Sequence, residues 1–397
     1  MDLVIKPRKL TGEISAIPSK SQAHRILICA ALSNNQTEII CPATSLDIEA
    51  TVNCLNALGA EISRTASGYL VYPIRNVPEK AELRCGESGS TLRFLLPVAG
   101  ALGIDTTFLL DGRLPQRPLS PLWEEMERMG CILTRPSEDT VRCQGRLQKG
   151  IYKIDGGVSS QFITGLYFAL AILGASSLII QGSVQSAPYI NQTKQVLTTF
   201  GVSIANESVS TSIPLHSPGK VTVEGDWSNG AFFIAAEALG NTVTVTNLRQ
   251  ESTQGDKAII ELLKQLEFNC TIDVAQIPDL MPILSIVAAA SHGAEFTNIQ
   301  RLRLKESDRV TSTCNMLSAL GIRTQTTDDK LTVYPGELQG GIIDSCNDHR
   351  IAMSAAIATT VAKGDILLKN AQCVNKSYPH FWDDFCKLGG SYEQYIR

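Results

Sequence analysis

No C-x-x-C pair occurs anywhere in the 397 residues, and the eleven cysteines are scattered and odd in number. That spacing excludes a disulfide framework and a cysteine zinc site, and it predicts reduced thiols in a cytoplasmic protein. Charge is also sparse. Charged residues make up 19% of the chain and the net charge is −4, which excludes a general nucleic-acid partner. Met1 to Leu10 carries Lys6, Arg8 and Lys9 with no apolar core behind them, so no secretory signal is expected there. A long membrane-spanning run is missing as well. Gly156 to Thr193 holds no charge, but its apolar part, Phe162 to Leu173, is only about twelve residues and ends at Gly174-Ala175-Ser176-Ser177. It reads as a buried helix followed by the strand Leu178–Ile180.

What is present is a globular composition, 44% hydrophobic, on a chain long enough for two or three domains. The chain also repeats itself. An amphipathic helix running into a glycine and then a strand recurs at Val52–Gly59, Leu122–Gly130, Val196–Gly201, Ile259–Phe268, Cys314–Gly321 and Phe381–Gly389. The closing glycine suits a left-handed cap; Phe268 replaces it in the fourth. The markers at 59, 130, 201, 268, 321 and 389 are spaced by 71, 71, 67, 53 and 68 residues. A second helix type opens on a polar turn and continues with small apolar residues. Its six members are Pro18–Leu32, Gly86–Leu102, Gly156–Leu173, Gly225–Leu239, Ile277–Ala290 and Asn347–Val361. Nearly uncharged bodies predict burial on most sides. Three such units close one domain and six give two. The expected first domain is 13–224 and the second is 1–12 with 225–397, with crossings at Lys9–Glu13 and Glu224–Asp226. The short gap predicts a fourth repeat lacking roughly fifteen residues, with room for about one strand between Phe268 and Asp279.

The polar turns carry the chemistry. Leu304-Lys305-Glu306-Ser307-Asp308-Arg309 follows the run Phe296–Ile299 and precedes an amphipathic helix, so it reads as a strand end meeting a helix N-terminus. Such a turn attracts anions, and Lys and Arg would add charge-assisted bonds to a phosphate or carboxylate. A carboxylate there, Glu306, weakens anion binding unless it moves protons. Eight cations sit at comparable turns: Lys20, Arg25, Arg93, Arg117, Lys305, Arg309, Arg350 and Lys376. The helix dipole repels cations at an N-terminus, so a cost repeated this often favours function over chance capping. Gly86–Arg93 adds glycines that let an anion approach the backbone. Taken alone, Asp279 reads as an ordinary carboxylate in a first helical turn.

Six ordered motifs carry a resemblance. Ser19-Lys20-Ser21 with Arg25, Gly86 to Arg93, Gln116-Arg117-Pro118, Ser159 to Phe162, Lys305 to Arg309 and Asn347 to Arg350 resemble the 5-enolpyruvylshikimate-3-phosphate (EPSP) synthase family end to end. The resemblance implies an inside-out α/β barrel fold in two domains, six βαβαββ repeats in all, closing over a cleft. It implies transfer of the enolpyruvyl group of phosphoenolpyruvate to the 5-hydroxyl of shikimate 3-phosphate. That step belongs to the shikimate pathway of chorismate and aromatic amino-acid biosynthesis. It implies no metal or organic cofactor, no membrane partner, and a monomer. By motif, Lys20, Ser21, Arg25, Ser159, Ser160, Gln161, Ser186, Asp279 and Lys305 would hold shikimate 3-phosphate. Lys20, Gly89, Arg117, Gln161, Arg309, Arg350 and Lys376 would hold phosphoenolpyruvate. Asp279 would be the base on the 5-hydroxyl, Glu306 the acid toward C3, and Lys20 the cation that neutralises departing phosphate. Glu87 stands where the family more often has Asn, Ser90 where Thr is common, and Arg301 where some members have Asn. Two alternatives remain: a UDP-N-acetylglucosamine enolpyruvyl transferase, opposed by the cysteine-free loop Asp111–Gln116, and a catalytically inactive relative that binds phosphorylated metabolites.

Overall fold

Five of the six buried helices begin at a side chain that caps the first turn. The structure, a computed structural model, describes residues 1–396 except 206–207 and 211–214. Its α-helices are α1 (Lys20–Ala31), α2 (Leu46–Ala57), α3 (Gly89–Leu102), α4 (Leu122–Arg128), α5 (Ser160–Leu173) and α6 (Ala187–Thr199). They continue with α7 (Trp227–Ala238), α8 (Ile259–Gln265), α9 (Met281–Ala290), α10 (Arg309–Ala319), α11 (His349–Ala358) and α12 (Phe381–Lys387). The odd-numbered helices are the expected buried set. Ser19, Ser88, Ser159, Asp226 and Asp348 cap α1, α3, α5, α7 and α11, each accepting a backbone N–H, while α9 starts on Pro282 instead. The even-numbered helices are the amphipathic set. Their marker glycines, Gly59, Gly130, Gly201, Gly321 and Gly389, all sit at positive φ between 78° and 108°, where a side chain would be strained.

By its contacts the chain forms two units, residues 18–224 and residues 1–17 with 225–397. Each has its own apolar core. The strand Thr11–Ser15, which the sequence reading cuts at Glu13, pairs parallel with Thr242–Thr246 and so lies wholly in the second unit.

Each complete repeat folds into one four-stranded sheet. In the second repeat, Lys80–Gly86 pairs parallel with Asp105–Leu110, which pairs antiparallel with Thr140–Gly145, which pairs antiparallel with Cys131–Ser137. The parallel pair is joined through the buried helix and the antiparallel pair is a hairpin after the amphipathic helix. The third and fifth repeats have the same order. The first and sixth do too, but each borrows a strand from far along the chain: Lys220–Thr222 beside Thr37–Ile40, and Leu3–Lys6 beside Ile366–Lys369. The helices fill the cores and the strands alternate between buried and half-buried residues, as in Asp105–Leu110. This is the inside-out α/β arrangement.

The fourth repeat keeps only Thr11–Ser15 and Thr242–Thr246, a two-stranded sheet. The strand after Phe268, Cys270–Asp273, is the first strand of the fifth repeat. The shortening expected from the spacing is therefore the loss of a whole hairpin.

Candidate active site

Arg309 opens α10 and is the hub of the polar cluster in the unit containing 225–397. It is almost fully buried and meets three carboxylates. Nη1 donates to Asp279 Oδ1 at 2.7 Å, Nη2 to Glu306 Oε2 at 2.8 Å, and Nε to Asp348 Oδ2 at 3.0 Å. Burial works against the cation, but Asp348, Asp279 and Glu306 outweigh it and hold the guanidinium above its ordinary pKa. Arg350, in the first turn of α11, donates Nη2 to Asp279 Oδ2 at 3.2 Å and Nη1 to the Ser228 carbonyl at 2.9 Å. Asp279 thus bridges two arginines. Burial favours its neutral form, yet Arg350, Arg309 and Lys305 hold it well below the usual carboxylate range.

Lys305 lies beside this cluster. Burial pushes its pKa down to about 8, against the pull of Asp279. Lys376 donates to the Asn347 carbonyl at 2.9 Å, one residue before the α11 cap. In this unit the structure brings Asp279, Lys305, Glu306, Arg309 and Arg350 together, and Lys376, at the end of the 3₁₀ turn Ala371–Lys376, bonds just ahead of α11.

The sequence reading gave no role to two carboxylates here. Asp348, completely buried, caps α11, accepts Ser307 Oγ at 3.0 Å and anchors Arg309. Its place before His349 and Arg350 at a helix start is an N-cap signal that could have marked it. Asp256, buried in the 3₁₀ turn Gly255–Ala258, is pushed up to about 7 by burial and by Asp279. Nothing in its sequence context singles it out.

The unit of 18–224 holds the remaining candidates. Lys20 begins α1 and pairs with Asp47 at 2.9 Å, in the first turn of α2. Arg25, buried one turn further on, bonds to neutral groups among the described residues. It donates to Thr193 Oγ1 at 2.8 Å, to the Ser21 carbonyl at 2.7 Å and to the Tyr189 carbonyl at 3.0 Å, and it lies over the Phe94 ring at 5.1 Å. Burial lowers its pKa to about 10. A buried guanidinium with no counter-ion among the described residues suits an anion.

Arg93 donates to Gln161 Oε1 at 2.7 Å and to the Pro118 carbonyl at 3.1 Å; Gln161 in turn donates to Ser90 Oγ at 3.0 Å. This link between α3 and α5 depends on close packing: a Cβ on Gly165 would fall 2.2 Å from the Arg93 carbonyl oxygen. At Gly89 a Cβ would meet Arg117 Nη1 at 2.8 Å and Arg93 Nη1 at 3.2 Å. The methyl expected to project toward an anion would thus first strike these two guanidinium groups. Ser159 caps α5 beside Ser160 and Gln161, and Ser186, in the left-handed region, opens α6. A buried chain of hydroxyls fixes the helix starts. His24 Nδ1 lies 2.7 Å from Thr51 Oγ1, which lies 2.7 Å from Thr91 Oγ1, which donates to the cap Ser88 Oγ at 2.7 Å. Burial, with Lys20 and Arg25 nearby, keeps His24 neutral.

Comparison with known proteins completes the picture. The sequence profile of the EPSP synthase family (3-phosphoshikimate 1-carboxyvinyltransferase) matches residues 4–273 and 269–385. The chain belongs to this family. Its similarity to the 3-phosphoshikimate 1-carboxyvinyltransferase of Clostridium beijerinckii is 37% identity over 429 aligned positions, covering 99% of each chain. To the Clostridium novyi enzyme of the same name it is 38%, again covering 99% of each. An EPSP synthase from Acinetobacter baumannii has the same fold, with a TM-score of 0.79 at 23% identity over 99% of this chain and 100% of that one. So does the enolpyruvyl transferase NikO from Streptomyces tendae, at TM-score 0.77, 18% identity and coverage of 99% and 98%. The profile match to the EPSP synthase family breaks at 269–273, where the fourth repeat has lost its hairpin.

Proposed function

We propose that the chain transfers the enolpyruvyl group of phosphoenolpyruvate to the 5-hydroxyl of shikimate 3-phosphate. The products are 5-enolpyruvylshikimate 3-phosphate and phosphate. The observation that carries this reading is Asp279 held between Arg309 and Arg350, with Lys305 and Glu306 beside it. Addition removes a proton from the 5-hydroxyl as its oxygen bonds to C2, while C3 of the enol gains a proton. The resulting tetrahedral ketal phosphate then loses a proton from C3 and expels phosphate from C2. Glu306 serves C3 in both directions and Asp279 serves the hydroxyl.

Without ligand, the two arginines make Asp279 a weak base. Phosphoenolpyruvate carries its own negative charge to Arg309, Arg350 and Lys376. The hold of the two arginines on Asp279 then weakens and its proton affinity rises when the hydroxyl must be deprotonated. By motif, Arg117, Gly89 and Gln161 are assigned to phosphoenolpyruvate as well. Ser21, Arg25, Ser159, Ser160, Ser186 and Lys305 bind shikimate 3-phosphate. Lys20 touches both ligands and meets the charge developing on the leaving phosphate. One chain carries every group named, so a monomer is sufficient for the chemistry. The partners are the two small molecules, with no nucleic acid, and the free thiols suit the cytoplasm.

The test is phosphate release by the pure, folded protein with both substrates, with either alone, and with UDP-N-acetylglucosamine in place of shikimate 3-phosphate. Release only with shikimate 3-phosphate and phosphoenolpyruvate together is expected. No release above background would leave a metabolite-binding relative without activity.

A further inference from the structure

The fourth repeat has lost its hairpin but keeps its buried helix, α7, and the first turn of α7 is polar although it lies in a core. Asp226, Ser228 and Asn229 are all buried there, ahead of the apolar run Ala231–Ala236. Local bonds fix the turn. Asp226 Oδ1 accepts the Asn229 N–H at 2.8 Å. Gln254 Oε1 accepts the Trp227 N–H at 3.0 Å, while its Nε2 donates to the Gly225 carbonyl at 2.8 Å.

Two groups of this turn reach the segments that carry Arg350 and Lys376. The Ser228 carbonyl accepts Arg350 Nη1 at 2.9 Å. Asn229 Oδ1 accepts Ser377 Oγ at 3.0 Å in a buried bond, and Ser377 directly follows Lys376. Lys376 closes the 3₁₀ turn Ala371–Lys376, where the N–H groups of Ser377 and Tyr378 return to the Val374 carbonyl at 3.0 and 2.7 Å. Its own Nζ donates to the Asn347 carbonyl. Lys376 is therefore held at its backbone end through Ser377 and at its tip by Asn347. Asn229 is an expensive choice for such a place. Its Nδ2 is buried with no hydrogen-bond partner among the described residues, and an apolar side chain of similar shape would remove that penalty. What an apolar side chain could not supply is the acceptor for Ser377.

We propose that Asn229 is a positioning residue for phosphoenolpyruvate: its amide oxygen, through Ser377, fixes the backbone from which Lys376 reaches the ligand. This rests on the reading that Lys376 and Arg350 bind phosphoenolpyruvate. A long lysine side chain loses rotamer freedom when it grips an anion, and an anchored base reduces that loss. Arg350 leans on the adjacent carbonyl, so one helical turn sets the spacing of two cations. The shortened repeat keeps the element that braces them.

The test is steady-state phosphate release with each substrate varied in turn. Asn229→Ala and Ser377→Ala each raise KM for phosphoenolpyruvate about tenfold, while kcat and KM for shikimate 3-phosphate stay within about twofold. The double variant goes no further than either single one, because both remove the same bond. Ser377 lies outside α7, so Ser377→Ala carries the test if Asn229→Ala does not fold. An unchanged KM for phosphoenolpyruvate in folded Ser377→Ala overturns the proposal. Additive effects, or an equal rise for both substrates as in a general loosening of the fold, overturn it too. Calorimetric titration of phosphoenolpyruvate in the presence of shikimate 3-phosphate separates this from the functional reading beneath it. No binding by the unmodified protein overturns both. Binding by the unmodified protein with equal affinity in Ser377→Ala overturns the role of Asn229 alone.

Discussion

Arg309 donates Nη1 to Asp279 Oδ1 at 2.7 Å, so the residue assigned to the base is clamped by one assigned to phosphoenolpyruvate. Arg350 holds the other oxygen at 3.2 Å. Asp279 reaches both arginines although it follows the deletion in the fourth repeat. Asp279→Asn is expected to lower kcat by about 10²-fold or more, because it removes a proton acceptor. Glu306→Gln is expected to do the same. Steady-state phosphate release checks both, and near-normal turnover in Asp279→Asn would send the search for a base elsewhere.

Lys305 supplies a pH dependence with a definite sign. Burial lowers its pKa to about 8, so the ammonium is charged below that pH and neutral above it. Affinity for shikimate 3-phosphate should be highest below pH 8 and fall as pH rises through it, since the phosphate is already a dianion there. Lys305→Arg keeps the charge at every relevant pH and should flatten the profile. Calorimetric titrations across this range decide the matter. An equally steep fall in Lys305→Arg would place the titrating group elsewhere.

Asp348 carries a structural load that substitution will expose. Its side chain is fully buried, as is its partner Arg309, and it caps α11 as well. Asp348→Asn leaves Arg309 short of one buried counter-charge. A loss of about 3–5 kcal/mol is expected on breaking such a pair. Chemical denaturation measures it, and weakened phosphoenolpyruvate binding should accompany it because Arg309 loses its anchor.

Gly89→Ala acts on arginines rather than on the ligand directly. The added Cβ would meet Arg117 Nη1 at 2.8 Å, and the end of that long side chain must move. Phosphoenolpyruvate should bind more weakly, and bulkier anionic analogues should lose more. Inhibition constants for the pair give the comparison. Equal losses, or none, would place Gly89 outside the site.

The sequence by itself determined the elements and their repetition. Small apolar runs behind Ser or Asp caps become buried helices, and glycines at a fixed place in each repeat take the left-handed turn, because burial and φ are local demands. The spacing of 53 residues between Phe268 and Gly321 already showed that the fourth repeat is short. The motif residues were legible too, since cations at helix starts contradict the dipole. Only the tertiary structure decided which charges meet. Asp279 and Asp348 converge on Arg309 from different segments, and Asp47 reaches Lys20 from the next helix. Those pairings, and the burial that moves Lys305 and Asp256 from their ordinary titration, depend on distance and desolvation, which no local pattern encodes.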